Sequence, residues 1–334
     1  MRTKQQENEK EWELSMSMKT AIWEPRAHAR ARSGHRILRN LKRDRFLYLL
    51  IVPFIAWYLV FQYYPMLGLQ MAFKKYSIYK GLSGSPWVGF DNFVTFFKGP
   101  YFLRTLKNTI LISLYSLIFA FPAPIILALL LNEVKNMLFK RTVQTLTYLP
   151  HFISIVIVAG FVTNFLSPTN GIVNLLLAKL GLEKLYFLVV PEYFRTIFIS
   201  MNIWREVGFG SIIYIAALSG IHPELHEAAV IDGANKWKRV LHVTLPGIMP
   251  TIMIMLILKI GNLLDVGYEA IILLYQPSTY EVSDVISTYV YRTGLQDGRY
   301  DIGTAVGLFN SVVGLVLVIC ANKLSKKYTE SGLW

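Results

Sequence analysis

The sequence predicts an all-α integral membrane protein with six membrane-spanning helices. Hydrophobic residues make up 54% of the 334 residues and charged residues only 16%, and the apolar residues gather in six long segments. A helix needs about 20 apolar residues to cross the hydrocarbon core of a bilayer. A soluble protein of this length would carry more charge and clearer polar loops.

The predicted spans form one transmembrane domain, residues 46–322, between an N-terminal arm, 1–45, and a C-terminal tail, 323–334. Prolines inside the first two spans are compatible with this assignment, because neighbouring helices and water satisfy the carbonyl groups that proline frees. In chain order, the predicted spans are 46–72, 105–131, 149–166, 196–219, 247–275 and 303–321.

The charge distribution predicts the orientation of the chain in a bacterial cytoplasmic membrane. If both termini lie in the cytoplasm, the cytoplasmic segments hold 21 Lys and Arg residues and the outer loops hold 10. This excess of basic residues is typical of the cytoplasmic side. The net charge of +13 does not indicate nucleic-acid binding, because the long apolar segments do not suit that function. The single cysteine, Cys320, excludes a disulfide within the chain and predicts no metal site.

A charged loop between the fourth and fifth spans, residues 220–246, predicts a short helix-turn-helix. Pro223 can open the first helix, and Gly233 permits the backbone turn between the two helices. Thr244 can cap the fifth span and Pro246 can start it. On physical grounds alone, this loop could equally be an ordinary amphipathic segment that packs on its own bundle.

The residues of the 220–246 loop resemble the EAA motif of ABC importer permeases. The match consists of Glu227, Ala228, Ala229, Asp232, Gly233, Ala234, Val243, Leu245 and Pro246. Other segments resemble the carbohydrate branch of this family, namely Gly89-Phe-Asp-Asn-Phe93, Asn108-Thr109, Tyr148-Leu-Pro-His-Phe-Ile-Ser154 and Tyr328-Thr-Glu-Ser-Gly-Leu-Trp334. The last is similar to the ending of oligosaccharide and polysaccharide permeases. One departure is the segment 276–284, which lacks the Gly-Gly-Gly-Pro turn often found after the fifth span.

The resemblance implies a type I importer core whose 220–246 loop forms coupling helices on the cytoplasmic side. It also implies the partners: a second, non-identical permease, two ATPase subunits, an external solute-binding protein and a sugar substrate, all at the lipid membrane. The chain would not be an enzyme and would bind no cofactor, with ATP and Mg²⁺ held by the ATPase subunits. The sequence contains no Gly-x-x-x-x-Gly-Lys-Ser/Thr phosphate-binding motif, which agrees with this division of labour.

Polar residues in the fifth span are the predicted substrate pathway. If this span is one continuous helix, Lys259, Asn262, Asp265 and Glu269 fall within an arc of about 120°, and Tyr268 borders it. A charge at mid-bilayer costs about 2.5–3.5 kcal/mol, so this face should look inward, where it suits sugar hydroxyl groups. Of these residues, Lys259 is expected to be structural, and the pathway candidates are Asn262, Asp265, Tyr268 and Glu269. The alternative is a structural ion pair between Lys259 and Asp265.

Asn202 and Trp204 in the fourth span are further candidates for the pathway, although a packing role for Trp204 is an alternative because most buried aromatic residues simply pack. Two other functions stay open at this point. One is an importer of the same fold for a different solute. The other is a membrane glycosyltransferase, which would need acidic residues clustered at a membrane face rather than within a span.

Overall fold

The computed structural model describes residues 43–329 and 332–333, and these residues are helical almost throughout. In this part of the chain, strand-like pairing is limited to one isolated bridge between Lys74 and Trp87. The chain divides into two compact units, residues 1–67 and 68–334. The predicted N-terminal arm, 1–45, falls almost entirely outside the described residues.

The helices are labelled here in chain order. They are α1 Arg45–Tyr58, α2 Gly81–Gly84, α3 Asp91–Phe97, α4 Phe102–Tyr115, α5 Pro122–Glu133, α6 Met137–Tyr148, α7 Ile155–Phe165, α8 Ile172–Lys179, α9 Pro191–Ser219, α10 Pro223–Ile231, α11 Lys236–Arg239, α12 Leu245–Gly247, α13 Met249–Gly261, α14 Tyr268–Leu274, α15 Tyr280–Ser283, α16 Ile286–Tyr289 and α17 Tyr300–Thr329. Turns of π or 3₁₀ helix adjoin them at Leu59–Tyr63, Tyr64–Phe73, Ser116–Ala120, Leu149–Phe152, Phe187–Val189, Val240–Thr244, Pro277–Thr279 and Val290–Gln296.

Within the described part of the chain, three helical stretches are long and apolar enough to cross a membrane, and they contain the predicted first, second and sixth spans. They are Arg45–Phe73, Phe102–Glu133 and Tyr300–Lys327. In the second stretch, a π-helical turn precedes Pro122, so that the helix continues past a residue that has no N–H to donate. Helix α17 runs from Tyr300 to Thr329 and therefore extends into the predicted C-terminal tail.

The prediction of one straight third span, 149–166, is wrong. Helix α6 continues through the 3₁₀ turn Leu149–Phe152, and α7 then departs at an angle of 104°. Pro150 lies in that turn, and Ser154 has an extended backbone with ψ 140°, which ends the helical path. Helix α7 alone, at 1.5 Å per residue, is about 16 Å long and is short for a bilayer core of about 30 Å.

The prediction of one continuous fifth span, 247–275, is also wrong. The helical stretch that starts at Lys236 bends by 62° before Met249, and α13 ends at Gly261. Residues 262–267 are not helical, and α14 begins only after Gly267, whose φ is +78°. The Asp265 carboxylate accepts a hydrogen bond from the Gly267 amide at 3.3 Å, a local bond that competes with helix formation. We refer to residues 262–267 as the broken segment.

The predicted fourth span, 196–219, lies within α9, which has 29 residues. This helix carries Glu192, Arg195, Arg205 and Glu206, and their charge lowers its hydropathy. Among the described residues, three helices pass as membrane spans, or five if each of the two bent pairs counts as one span. The number of six spans therefore stays a prediction, while the all-α membrane fold is confirmed.

Helix α9 lies at the centre of the larger unit. Its buried Phe194 and Phe198 pack in one apolar cluster with Ile271 of α14, and its Tyr214 packs in another with Ile248. Gly208 of α9 allows a close approach to α6, because a Cβ atom at this position would overlap the backbone of Thr147. This packing fixes α9 beside both the 220–246 loop and the broken segment.

Candidate functional site

The 220–246 loop forms the predicted helix-turn-helix. Pro223 opens α10, and Glu224 lies in its first turn. The turn that follows contains Gly233, which has a φ of +74° and so occupies the left-handed region that favours glycine. Asn235 caps the second helix, because its side-chain oxygen accepts a hydrogen bond from the amide of Lys238 at 2.9 Å.

The expected capping role of Thr244 is wrong. The chain is helical without interruption from Lys236 to Gly247, and Thr244 lies inside this stretch with its hydroxyl donating to the carbonyl of Arg239 at 3.3 Å. Leu245, also within the stretch, packs on the buried apolar cluster around Tyr214. The second helix of the loop is therefore anchored in the bundle, and the bend toward α13 comes after it.

The 220–246 loop presents an apolar surface away from the bundle. Glu227, Ala228, Asp232 and Gly233 are exposed, while Ala229 and Ala234 are half-buried. Large apolar side chains surround them and are also exposed, with Ile231 at 86%, Trp237 at 75%, Leu241 at 56%, and Leu225 and Val230 at 54% each. An exposed apolar patch with a polar rim is typical of a protein interaction site.

A cavity of about 570 Å³, here called the first cavity, lies beside the broken segment. Its wall includes Asn202 and Glu206 of α9, Lys259 of α13, and Asn262 and Asp265 of the broken segment. The hydroxyl of Ser113, in α4, donates a hydrogen bond to the carbonyl of Leu263. Non-helical backbone within a membrane protein is tolerated where it lines a cavity, and the broken segment does line one.

The structure brings together three of the predicted pathway residues, along with Lys259, and separates others. Asn202, Lys259, Asn262 and Asp265 line the first cavity, and Tyr268 lines a second cavity together with Asn262 and Asp265. Trp204, 49% exposed, and Glu269 line neither cavity. The predicted continuous stripe does not exist, because the helix ends at Gly261 and the helical spacing does not apply beyond it.

A cluster of polar and aromatic side chains surrounds Glu206 at the edge of the first cavity. Glu206 pairs with Arg205 at 3.1 Å and with the Nδ1 atom of His151 at 2.8 Å. The His151 ring stacks on Phe209 with ring centroids 3.9 Å apart and nearly parallel planes. The pairing between α9 and the segment that precedes α7 joins elements remote in sequence, so spacing along the chain did not predict it.

Sequence reasoning missed a buried ion cluster around Asp284. Its carboxylate is fully buried and accepts hydrogen bonds from Arg104 at 2.6 Å, Arg292 at 3.0 Å and Thr288 at 2.8 Å. Burial lowers the pKa of Arg292, but the hydrogen bond and charge of Asp284 outweigh burial and raise that pKa above its usual value. A charged residue directly before the apolar pair Val285-Ile286 was the signal available in the sequence.

The side-chain amide of Asn108, in α4, ties the segment around Asp284 to α4 and α9. The side chain of Asn108 donates to the carbonyl groups of Glu281 at 2.8 Å and Asp284 at 3.0 Å, and it accepts from Arg195 at 3.0 Å. These bonds hold the segment after α14 in place, and with it one end of the broken segment. Among residues 43–329 and 332–333, no group of three His, Cys, Asp or Glu side chains is placed to hold a metal ion.

Comparison with known proteins identifies the family. Residues 120–329 match the family described as binding-protein-dependent transport system inner membrane component. The chain is 45% identical to Protein LplB of Bacillus subtilis (strain 168) over 294 residues, which cover 88% of this chain and 92% of that protein. It is 44% identical to the polygalacturonan/rhamnogalacturonan transport system permease protein YteP of the same organism over 299 residues, covering 90% and 93%.

A solved structure of similar sequence supports the same conclusion. It is the crystal structure of a bacterial alginate ABC transporter in complex with an alginate pentasaccharide-bound periplasmic protein. One of its chains is 53% identical, and the match covers 89% of this chain and 100% of that chain with a TM-score of 0.83. This chain therefore belongs to the family of binding-protein-dependent transport system inner membrane components.

Proposed function

We propose that this chain is one permease subunit of an ATP-driven importer that carries an oligosaccharide or a polysaccharide fragment into the cytoplasm. The observation that carries the proposal is the 220–246 loop, an exposed apolar surface built on a helix that leads into the cavity-lining part of the chain. The names of YteP and of the alginate transporter support a saccharide as the substrate.

The 220–246 loop is the surface that docks on an ATPase subunit in this proposal. Ile231 and Trp237 supply apolar contact area, while Glu227 offers a carboxylate to a basic group of the partner. ATP and Mg²⁺ bind on two ATPase subunits and not on this chain. The docked loop defines the cytoplasmic side, so both termini lie in the cytoplasm and the solute-binding protein approaches from the other side.

The first cavity is the part of the substrate pathway that this chain contributes, and a second, non-identical permease completes it. Asn202, Asn262 and Asp265 present amide and carboxylate groups that can bond sugar hydroxyls. Glu206 is already engaged by Arg205 and His151 and serves to shape the wall. Trp204 and Glu269 line neither cavity, and no substrate contact is assigned to them.

The test is sugar uptake by proteoliposomes that contain the importer purified with its co-expressed subunits. We expect Glu227→Lys and Gly233→Val to leave the chain in the membrane and to reduce ATP-dependent uptake to the level without ATP. The lysine would meet a basic partner group, and valine does not fit a φ of +74°. Glu133→Lys, also an exposed acid at a helix end, is the control and should transport normally. Normal uptake by Glu227→Lys and Gly233→Val would contradict the proposal.

A further inference from the structure

A second cavity, of about 650 Å³, lies on the other side of the broken segment. Its walls come from α14, from α16 and the turn Val290–Gln296 that follows it, and from α17. Asn262 and Asp265 line both cavities, so the broken segment is a shared wall between them. The volume falls within the ~300–1,000 Å³ that is usual for ligand sites.

Two residues in the wall of the second cavity each carry a buried side-chain oxygen that has no hydrogen-bond partner among the described residues. These atoms are the hydroxyl oxygen of Ser287 and the side-chain oxygen of Asn310. Both residues line the cavity, while these two oxygens lie just behind its surface. Most buried polar side-chain atoms in proteins have a partner, so each of these oxygens keeps an unused capacity to accept a hydrogen bond after a rotation of its side chain. A hydroxyl and an amide oxygen are both suited to bond another hydroxyl group.

An aromatic pair forms a further part of the wall. The rings of Tyr268 and Tyr291 are stacked with centroids 5.4 Å apart and an angle of 25° between their planes. Stacking holds both rings in a fixed orientation, and each ring is a flat apolar surface with a polar tip. The C–H groups of a sugar ring pack well on such a surface, whereas its hydroxyls need polar partners at the rim.

The charge of the second cavity differs from that of the first. Among the residues that the structure describes, Asp265 is the charged residue in its wall, and none of the Lys or Arg residues lines it. The first cavity, in contrast, includes Lys259. A sugar acid in the second cavity would place its carboxylate near that of Asp265, and like charges at such short range repel each other. The wall therefore favours an uncharged ring.

We propose that the second cavity is a saccharide subsite for a neutral sugar residue of the transported chain. Tyr268 and Tyr291 carry the ring, Ser287 and Asn310 bond its hydroxyls, and Asp265 excludes a uronate. This subsite rests on the proposed transport function, and it adds a preference for uncharged residues next to the first cavity.

Thiol protection tests the subsite directly. The variant Cys320→Ser with Ser311→Cys places the one cysteine of the chain in the wall of the second cavity. The unmodified chain is the matched control, because its Cys320 is exposed on the same helix and lines neither cavity. In the assembled importer, labelling of this chain by N-ethylmaleimide is followed by mass spectrometry with and without arabinotriose or trigalacturonate.

We expect arabinotriose to slow labelling at position 311 several-fold, trigalacturonate to slow it less, and neither to affect Cys320. Equal labelling at position 311 with and without both sugars would overturn the subsite. So would a cysteine at 311 that never reacts in the complex, because a partner helix would then fill the cavity. Stronger protection by trigalacturonate would overturn the preference for a neutral residue.

Transport distinguishes failure of this inference from failure of the proposed function. Tyr291→Ala should raise the sugar concentration needed for half-maximal uptake several-fold. The control Tyr115→Ala changes an exposed tyrosine that lines neither cavity, and it should leave uptake unchanged. If Tyr291→Ala transports like the control, the subsite is wrong while the importer assignment stands. If the unmodified importer takes up no saccharide, the proposed function itself is wrong.

Discussion

Replacement of Asp284 should destabilise the larger unit more than any other single change of an acidic side chain in the segment after α14. The carboxylate is fully buried and receives hydrogen bonds from Arg104, Thr288 and Arg292. Removal of one partner from a buried ion pair costs about 3–5 kcal/mol, because the remaining charge stays desolvated. The side chains of Arg104 and Arg292 are 31% and 28% exposed, so water can partly replace the carboxylate. We therefore expect Asp284→Ala to lose about 3 kcal/mol, the lower end of that range.

The measurement is equilibrium unfolding of the purified protein in mixed detergent micelles, read by near-ultraviolet circular dichroism. Glu281→Gln is the matched control, since Glu281 lies one turn earlier on the same segment and its side chain is exposed. This control should stay within about 0.5 kcal/mol of the unmodified protein. Asp284→Asn should fall between the two, because the amide oxygen still accepts a hydrogen bond but carries no charge.

A triple variant separates charge from packing. In Asp284→Leu with Arg104→Met and Arg292→Met, no buried charge is left without a partner, and apolar replacement of a whole buried ion cluster is often neutral. It should therefore be more stable than Asp284→Ala. If Asp284→Ala unfolds at the same detergent fraction as Glu281→Gln, the ion cluster contributes nothing to stability and the reasoning is refuted.

Two further variants test local packing and capping. Gly208→Ala should lose about 1–3 kcal/mol in the same unfolding measurement, because its methyl group would overlap the backbone of Thr147. Gly160→Ala is its control, since a Cβ atom there meets no neighbour within 4 Å and should not destabilise. Asn235→Ala should remove about 1 kcal/mol from the second helix of the 220–246 loop. That loss predicts roughly fivefold faster amide hydrogen exchange at Lys238 and Arg239, whose amides bond to Asn235. Asn235→Ser should largely restore the slower exchange, whereas unchanged exchange in Asn235→Ala would show that the cap is dispensable.

The long apolar helices and the loop were predictable because their signals are local. An apolar run of sufficient length predicts a span whatever its neighbours are, and three such stretches are present. Likewise, Pro223 and Gly233 set the start of α10 and the turn after it through their own backbone preferences. Thr244 has the same local preference for a cap, but Asn235 takes that role and the helix runs past Thr244.

The broken helices and the ion cluster were not predictable from local patterns. Residues 247–275 read as one apolar run, and the helical spacing of their polar residues suggested a single stripe. The helix ends at Gly261 where the chain makes contacts with other elements, including the hydrogen bond from Ser113 to the carbonyl of Leu263. Asp284 is likewise paired with Arg104, far away in the sequence. Two residues this far apart in the chain have no regular spacing, so a single sequence does not reveal that they form a pair.

The broken segment lies between the 220–246 loop, the two cavities and the segment held by Asp284. On its N-terminal side, α13 leads back through the bend at Ile248 to the helix of the 220–246 loop. On its C-terminal side, α14 leads to the segment held by Asp284 and Asn108. Its own residues, Asn262 and Asp265, form the wall between the two cavities. A helix transmits displacement along its axis because its backbone bonds are satisfied internally, whereas residues 262–267 lack this regular ladder and are held by a few single bonds, among them the one from Ser113 to the carbonyl of Leu263. A displacement of the 220–246 loop would therefore reach both cavities through the broken segment. On its far side, that segment is anchored through α14 by the bonds of Asp284 and Asn108.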